Sequence, residues 1–274
     1  MGGWLQTAPG RYLLGWEQQR LDQAVADLFG YHALQMGLPA LDGLRANRMP
    51  HRWVASPSLD PFDPLELPPP AADAGITTQQ LDAPVAVHCA AEALPFRSAS
   101  LDLVVMPHTL ELAADPHQAL AEAARVLMPE GRLVIVGLNP TSLWGLRQRA
   151  GRLRQQLNLG HDALYLPQAG EFIGYWRLRD WLRLLGFEIE GGRFGCYRPP
   201  LRSPGWLERF AWMERAGDRW WPVLGAVYFL VAVRRERGLR LVGRLRTERV
   251  PAGPAPAVVA HRQRRGLGGS TMPR

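Results

Sequence analysis

Three polar residues of this 274-residue chain, Glu92, His108 and Asn139, stand where chemistry is most readily done. An imidazole titrates at about pH 6.5, so His108 can take a proton from a hydroxyl or an amine. The bland alternative is that it hydrogen-bonds backbone and caps a turn. Pro107 and His108 follow an unbroken apolar run, LDLVVM at 101–106, and Asn139 follows a second, RLVIVGL at 132–138. Such runs suit strands covered on both faces, and the helical segment between them makes a strand, helix, strand unit of a parallel sheet. Ligands of parallel sheets sit at the carboxyl ends of strands, which makes Pro107, His108 and Asn139 candidate site residues. Asn139 before Pro140 is also an ordinary turn signal, Glu111 an ordinary surface partner for arginine, and Glu92 an ordinary cap.

The elements that position these residues read as follows. Residues 13–29 form an amphipathic helix with Leu14, Leu21, Val25 and Leu28 at near-helical spacing, closed by Gly30. Strands are expected at 33–36, 51–56 and 85–89. Seven prolines, from Pro57 through Pro84 inclusive, mark a connector. A helix over 115–128 carries Asp115 as cap, Pro116 in its first turn, and Leu120, Ala123, Ala124 and Leu127 as its apolar stripe. A helical piece, SLWGLRQRAGRLRQQL, follows the 132–138 strand. RLRDWLRLLGFEIEG is read as a helix turning at Gly186 into a strand, and AVYFLVAVRR at 226–235 is the last strand. Residues 203–221 form an insertion carrying four of the ten tryptophans, suited to a lid, an acceptor-binding element or a packing cap. His88, alternating with apolar residues, is expected to be a satisfied core histidine.

Two cysteines, Cys89 and Cys196, exclude a disulfide framework and a four-cysteine metal site, and fit a reducing cytoplasm. His51, His117 and His161 share no ligand spacing with an acid, so no metal site is expected. There is no P-loop sequence and no Gly-x-Ser-x-Gly elbow. The longest apolar run, 220–233, is too short to span a bilayer helically and contains proline and glycine. The net charge of +7 is carried by residues 234–274, where 11 arginines face two glutamates. All 32 basic residues are arginine. Domain organisation is read as one domain, 1–235, and a basic tail, 236–274, in which nucleic-acid binding is the minor reading and a solvated end the favoured one.

The run CAAEALPF at 89–96, then LDLVV, HTLEL and DPHQALAEAARVLMPEGRLVI, resembles the core of the class I S-adenosylmethionine-dependent methyltransferases, and within them the type 11 small-molecule group. The resemblance covers about 33–195, with 85–137 its specific part. It implies an α/β fold: a Rossmann-like, seven-stranded, mostly parallel sheet with a terminal antiparallel hairpin and helices on both faces. It also implies S-adenosylmethionine as cofactor, a small-molecule acceptor, Gly37, Ser56, Ala91, Glu92 and Met106 as cofactor-binding residues, and His108 as catalytic base. The family's loop of three alternate glycines is here LQMGLPALDGL, offering Gly37 and Gly43 at most. The acid usual after the second strand is replaced by Ser56 or Ser58, and the usual Asp-Ala-Glu after the third is Ala90, Ala91, Glu92. Tyr12, Trp16 or Gln35 are candidates to compensate. The rival reading is a non-catalytic descendant that keeps the sheet as a binding module.

Overall fold

The computed structural model describes residues 2–56, 86–157, 164–166 and 172–236, which fall in one compact unit, Met1–Arg237. The proline-rich connector and the arginine-rich tail lie outside the described residues, apart from Arg234, Arg235 and Glu236.

The chain starts with helices α1 (Gly2–Leu5) and α2 (Ala8–Val25). Thr7 caps α2 by accepting from the amide of Gly10, and Pro9 is tolerated in the first turn, where its missing N–H costs nothing. The strands are β1 (His32–Met36), β2 (His51–Ser56), β3 (Val87–His88), β4 (Leu101–Pro107), β5 (Leu127–Leu138), β6 (Phe187–Gly195) and β7 (Val227–Arg234). They form one sheet in the order β3-β2-β1-β4-β5-β7-β6. All pairs are parallel except the two that β7 makes with β5 and β6. This is the expected α/β sheet with its terminal antiparallel hairpin. β3 is an edge strand, so His88 is exposed rather than a core histidine, contrary to the alternation argument.

Helices α3 (Thr109–Leu112), α4 (Pro116–Val126), α5 (Leu143–Gln156), α6 (Tyr175–Leu184), α7 (Pro204–Arg209) and α8 (Met213–Trp220) complete the unit. The core lies in two layers, one on each sheet face. Leu34, Met36, Val104, Met106 and Ile135 pack with Leu120 of α4 and Leu178 and Leu182 of α6. Ala33, Leu103, Val105, Val134 and Val136 pack with Leu13, Leu21 and Val25 of α2 and Trp144 of α5. The alternation of β4 and β5 between the layers is the two-residue period of a strand buried on both faces. Each fully buried leucine or valine contributes about 1.5–3 kcal/mol, which holds α2 on the sheet. Asp102 fixes the start of β1 by accepting the amides of Tyr31 and His32 at 2.9 Å.

Candidate active site at the carboxyl ends of β1 and β4

At the end of β4 the backbone turns sharply. His108 is in the left-handed region, φ 53°, and is the residue before α3. For a non-glycine residue this conformation costs roughly 1–2 kcal/mol, so the surroundings must hold it there. They do so through the ring. His108 Nε2 lies 2.7 Å from Glu17 Oε1 of α2, and Nδ1 lies 2.9 Å from Glu111 Oε2 of α3. The side chains of all three are at most 1% exposed. Burial alone would push the imidazole pKa down, but the charges of Glu17 and Glu111 and their hydrogen bonds raise it well above 6.5. His108 is therefore an imidazolium that donates from both nitrogens. A base needs a free lone pair, and this ring has none to offer, so the geometry replaces the expected base with a charged tie between β4 and α2.

The cluster is continuous with its neighbours. The second Glu111 oxygen accepts the amide of Leu138 at the end of β5. Glu17 Oε2 and the Tyr12 hydroxyl are buried with no hydrogen-bond partner, and the Arg198 guanidinium lies 4.3 Å over the Tyr12 ring. Cys196 is buried, and burial first, then the Glu17 charge, raises its thiol pKa well above 9.0. The expected site residue Asn139 donates to the carbonyls of Val223 and Gly225 at 2.8 Å and accepts from the amide of Thr141. That is the turn role, and it ties the end of β5 to the entry of β7.

The loop after β1 is the other half of the site. Gly37 has φ +78°, and a Cβ there would meet Thr109 Oγ1 at 3.0 Å. The Thr109 hydroxyl donates to the Met36 carbonyl, so the ends of β1 and β4 are stitched together. Gln35, fully buried, organises the rest. Its Nε2 donates to the carbonyls of Leu41, Leu38 and Gly37, and its Oε1 accepts the amide of Gly43 at 2.7 Å. Leu38 and Leu41 turn into the layer under α2. No helix follows this loop before β2.

Ser56 is half-buried at the end of β2, where its carbonyl accepts the amide of Cys89. Ala91 is buried, and Glu92 is half-buried with Oε1 accepting the amide of Asp115 at 3.1 Å. Glu92 thus stands at the positive start of α4 beside the cap residue Asp115. Met106 is enclosed in the layer against α4 and is spent in packing. No group of three metal-ligating side chains exists among the described residues.

A family model described as a methyltransferase domain, that of the type 11 group, matches residues 68–135. Over 106 residues the chain is 40% identical to uncharacterized protein YafS of Escherichia coli (strain K12), covering 39% of this chain and 40% of that protein. Over 54 residues it is 43% identical to demethylmenaquinone methyltransferase of Chlamydia pneumoniae, covering 20% and 24%. The matched segments thus span well under half the length of either relative. Among solved structures it is similar to the YcgJ protein of Bacillus subtilis, with TM-score 0.51, 14% identity, and coverage of 81% of this chain and 99% of that one. It is also similar to a SAM dependent methyltransferase of Archaeoglobus fulgidus, with TM-score 0.50, 16% identity and coverage of 80% and 94%. At such identities the likeness is one of fold.

The cofactor this family and fold imply is S-adenosylmethionine. Gly37 at the end of β1, Ser56 at the end of β2, and Ala91 and Glu92 after β3 lie at the carboxyl ends of the strands, where such a cofactor would bind. They do not repeat a glycine-rich grip, because Gln35, Thr109, Leu38 and Leu41 occupy the loop from inside. Residues 68–135 thus resemble a type 11 methyltransferase domain, and the described ones among them lie in a seven-stranded sheet of the Rossmann-like methyltransferase fold.

Proposed function

We propose that the protein transfers a methyl group from S-adenosylmethionine to a small-molecule acceptor at the carboxyl ends of β1 and β4. The observation that carries this reading is the strand order with the matched methyltransferase block feeding β4 and β5. The bound cofactor would supply an electrophilic methyl group. Gly37, Ser56, Ala91 and Glu92 would hold it: the glycine by close backbone approach, Ser56 through its hydroxyl, Ala91 as an apolar wall, and Glu92 through the carboxylate oxygen not engaged by Asp115. Helix α2 packs on the sheet face beside these strand ends, and α7 and α8, the tryptophan-rich 203–221 segment, would cover the acceptor and exclude water. His108 holds α2 in place as an imidazolium, and Glu17 Oε2 is the group left to receive a polar hydrogen of the acceptor. Positioning supplies most of the rate in such a displacement.

Calorimetric titration with S-adenosylmethionine and S-adenosylhomocysteine tests the reading. Micromolar binding of both supports it, and no heat up to millimolar ligand in folded, ligand-free protein overturns it. One observation favours a second reading, a non-catalytic protein that keeps the sheet as a binding module. The loop after β1 satisfies its own polar groups through Gln35, as a loop without a ligand must. The same null titration would favour that reading.

A further inference from the structure

Helix α5 has an outer face that is exposed among the described residues. Its inner face buries Trp144, Gly145 and Gln148 against the unit. On the opposite side Leu143, Leu146, Leu153 and the following Leu157 are 48%, 59%, 55% and 58% exposed. At about 100° per residue these four leucines fall within a sector of about 80°, a single apolar stripe turned to solvent. One exposed leucine is ordinary, whereas a stripe of four along a whole helix is a surface with a partner. Arg147 and Arg154 flank the stripe on one side and Arg149 on the other, and α5 contains no acidic residue. Beyond it, Trp144 Nε1 donates to the Arg198 carbonyl and Arg147 to that of Pro200. This segment leads into α7 and α8, which expose Trp206 and Trp220.

We propose that α5 docks in the plane of an anionic lipid membrane, its leucines in the acyl boundary and its arginines at the headgroups. Charge complementarity selects this occupant. A second copy of the chain laid on the stripe would set arginine against arginine with no acid on either α5. A nucleic acid would meet the arginines but leave the leucines in water. A leucine stripe between arginine flanks is the pattern of helices that lie on bilayers without crossing them, and tryptophan is at home at the same interface. No helix among the described residues is long and apolar enough to cross a membrane. The inference is independent of the reaction proposed above.

The test is co-sedimentation of the full chain with vesicles of phosphatidylcholine, with and without phosphatidylglycerol. Wild type is expected to bind the vesicles containing phosphatidylglycerol, less so in high salt. Leu146→Glu with Leu153→Glu, both at exposed positions, is expected to weaken that binding about tenfold or more with an unchanged far-UV circular dichroism spectrum. Arg149→Gln with Arg154→Gln is expected to lose the preference for the anionic lipid. Hydrogen exchange over 143–157 of the wild type should slow on anionic vesicles, a readout that needs no variant. Four results would overturn the proposal. The wild type could fail to bind, the leucine variant could bind as well as wild type, which would move the contact to the basic tail, or exchange over 143–157 could stay unchanged. A dimer in vesicle-free solution that the leucine variant breaks would show the stripe to be covered by a second copy.

Discussion

Replacing His108 by glutamine removes the cation from between two buried carboxylates, and the consequence can be worked through. At separations of 2.7 and 2.9 Å, each Glu–imidazolium pair has a gross attraction of about 6 kcal/mol at an effective dielectric of about 20. Most of this offsets the desolvation of three charged groups, so the net worth of the cluster is small. Breaking it is different, because two carboxylates are left buried and uncompensated, at a cost of about 3–5 kcal/mol. In a unit of this size that lowers Tm by roughly 6–20 °C. The sign of the pH dependence follows from the raised imidazole pKa. The contribution is fully present below the unfolded value of 6.5 and is lost as pH rises through the higher folded value. The wild type minus His108→Gln difference should therefore be large near pH 6.5 and narrow in alkaline solution, where the wild-type ring is neutral too. Glu17→Gln keeps the Glu111 pair and should cost only about 1 kcal/mol. Urea unfolding followed by tryptophan fluorescence at several pH values measures all three proteins. A His108→Gln variant as stable as wild type at pH 6.5 would refute the buried imidazolium.

Gly37→Ala puts a Cβ 3.0 Å from Thr109 Oγ1 at φ +78° and should cost about 1–2 kcal/mol in thermal unfolding. Any affinity for S-adenosylhomocysteine should fall with it in calorimetry. Gln35→Glu replaces the amide that donates to three loop carbonyls by a group that can only accept when ionised. It should destabilise the fold by about 2–3 kcal/mol near neutral pH and less in acid, when the carboxyl is protonated. Glu214 of α8 is pushed up to about 7, chiefly by burial, from an ordinary 4.5. Its raised folded pKa contributes stability below pH 4.5 that is lost as the pH rises to about 7, so Glu214→Gln should gain on wild type across that window in Tm.

The frame was legible because its signals are local. LDLVVM and RLVIVGL lie inside β4 and β5, and Asp115 caps α4 through the amides of His117 and Gln118. Boundaries moved where pairing or capping extended an element. β5 begins at Leu127, which pairs with Leu101, and α2 begins at Ala8 because Thr7 caps it. The expected strand 85–89 is only Val87–His88, because little sheet remains beyond β2 to pair with. At the site, His108 follows β4, as its sequence position implies, but the two carboxylates that hold its ring are not legible from its neighbours. Its strongest partner, Glu17, lies 91 residues upstream. The signal that would have found Glu17 is its spacing. Leu13, Glu17, Leu21 and Val25 recur at every fourth position, and all four are buried, so the glutamate sits in the apolar stripe of α2. A carboxylate in such a stripe demands a buried partner, and a histidine at a strand end beneath it is one.

In both halves of the site the polar groups are held by contacts within the chain. A loop that cradles a ligand presents amide N–H groups outward and keeps side chains away. Here the carbonyls of Gly37, Leu38 and Leu41 point inward to one amide, that of Gln35, while Leu38 and Leu41 anchor the loop beneath α2. At β4 the contacts are electrostatic, since His108, Glu17 and Glu111 satisfy each other. Both sets of contacts fasten the ends of β1 and β4 to α2 and α3. On α2 and beside it, the buried polar atoms without a partner among the described residues are the Tyr12 hydroxyl, Glu17 Oε2, Gln18 Oε1, Arg20 Nε and Arg198 Nε. Buried polar atoms without partners are costly, so this cluster is where an incoming ligand would gain most by supplying a partner.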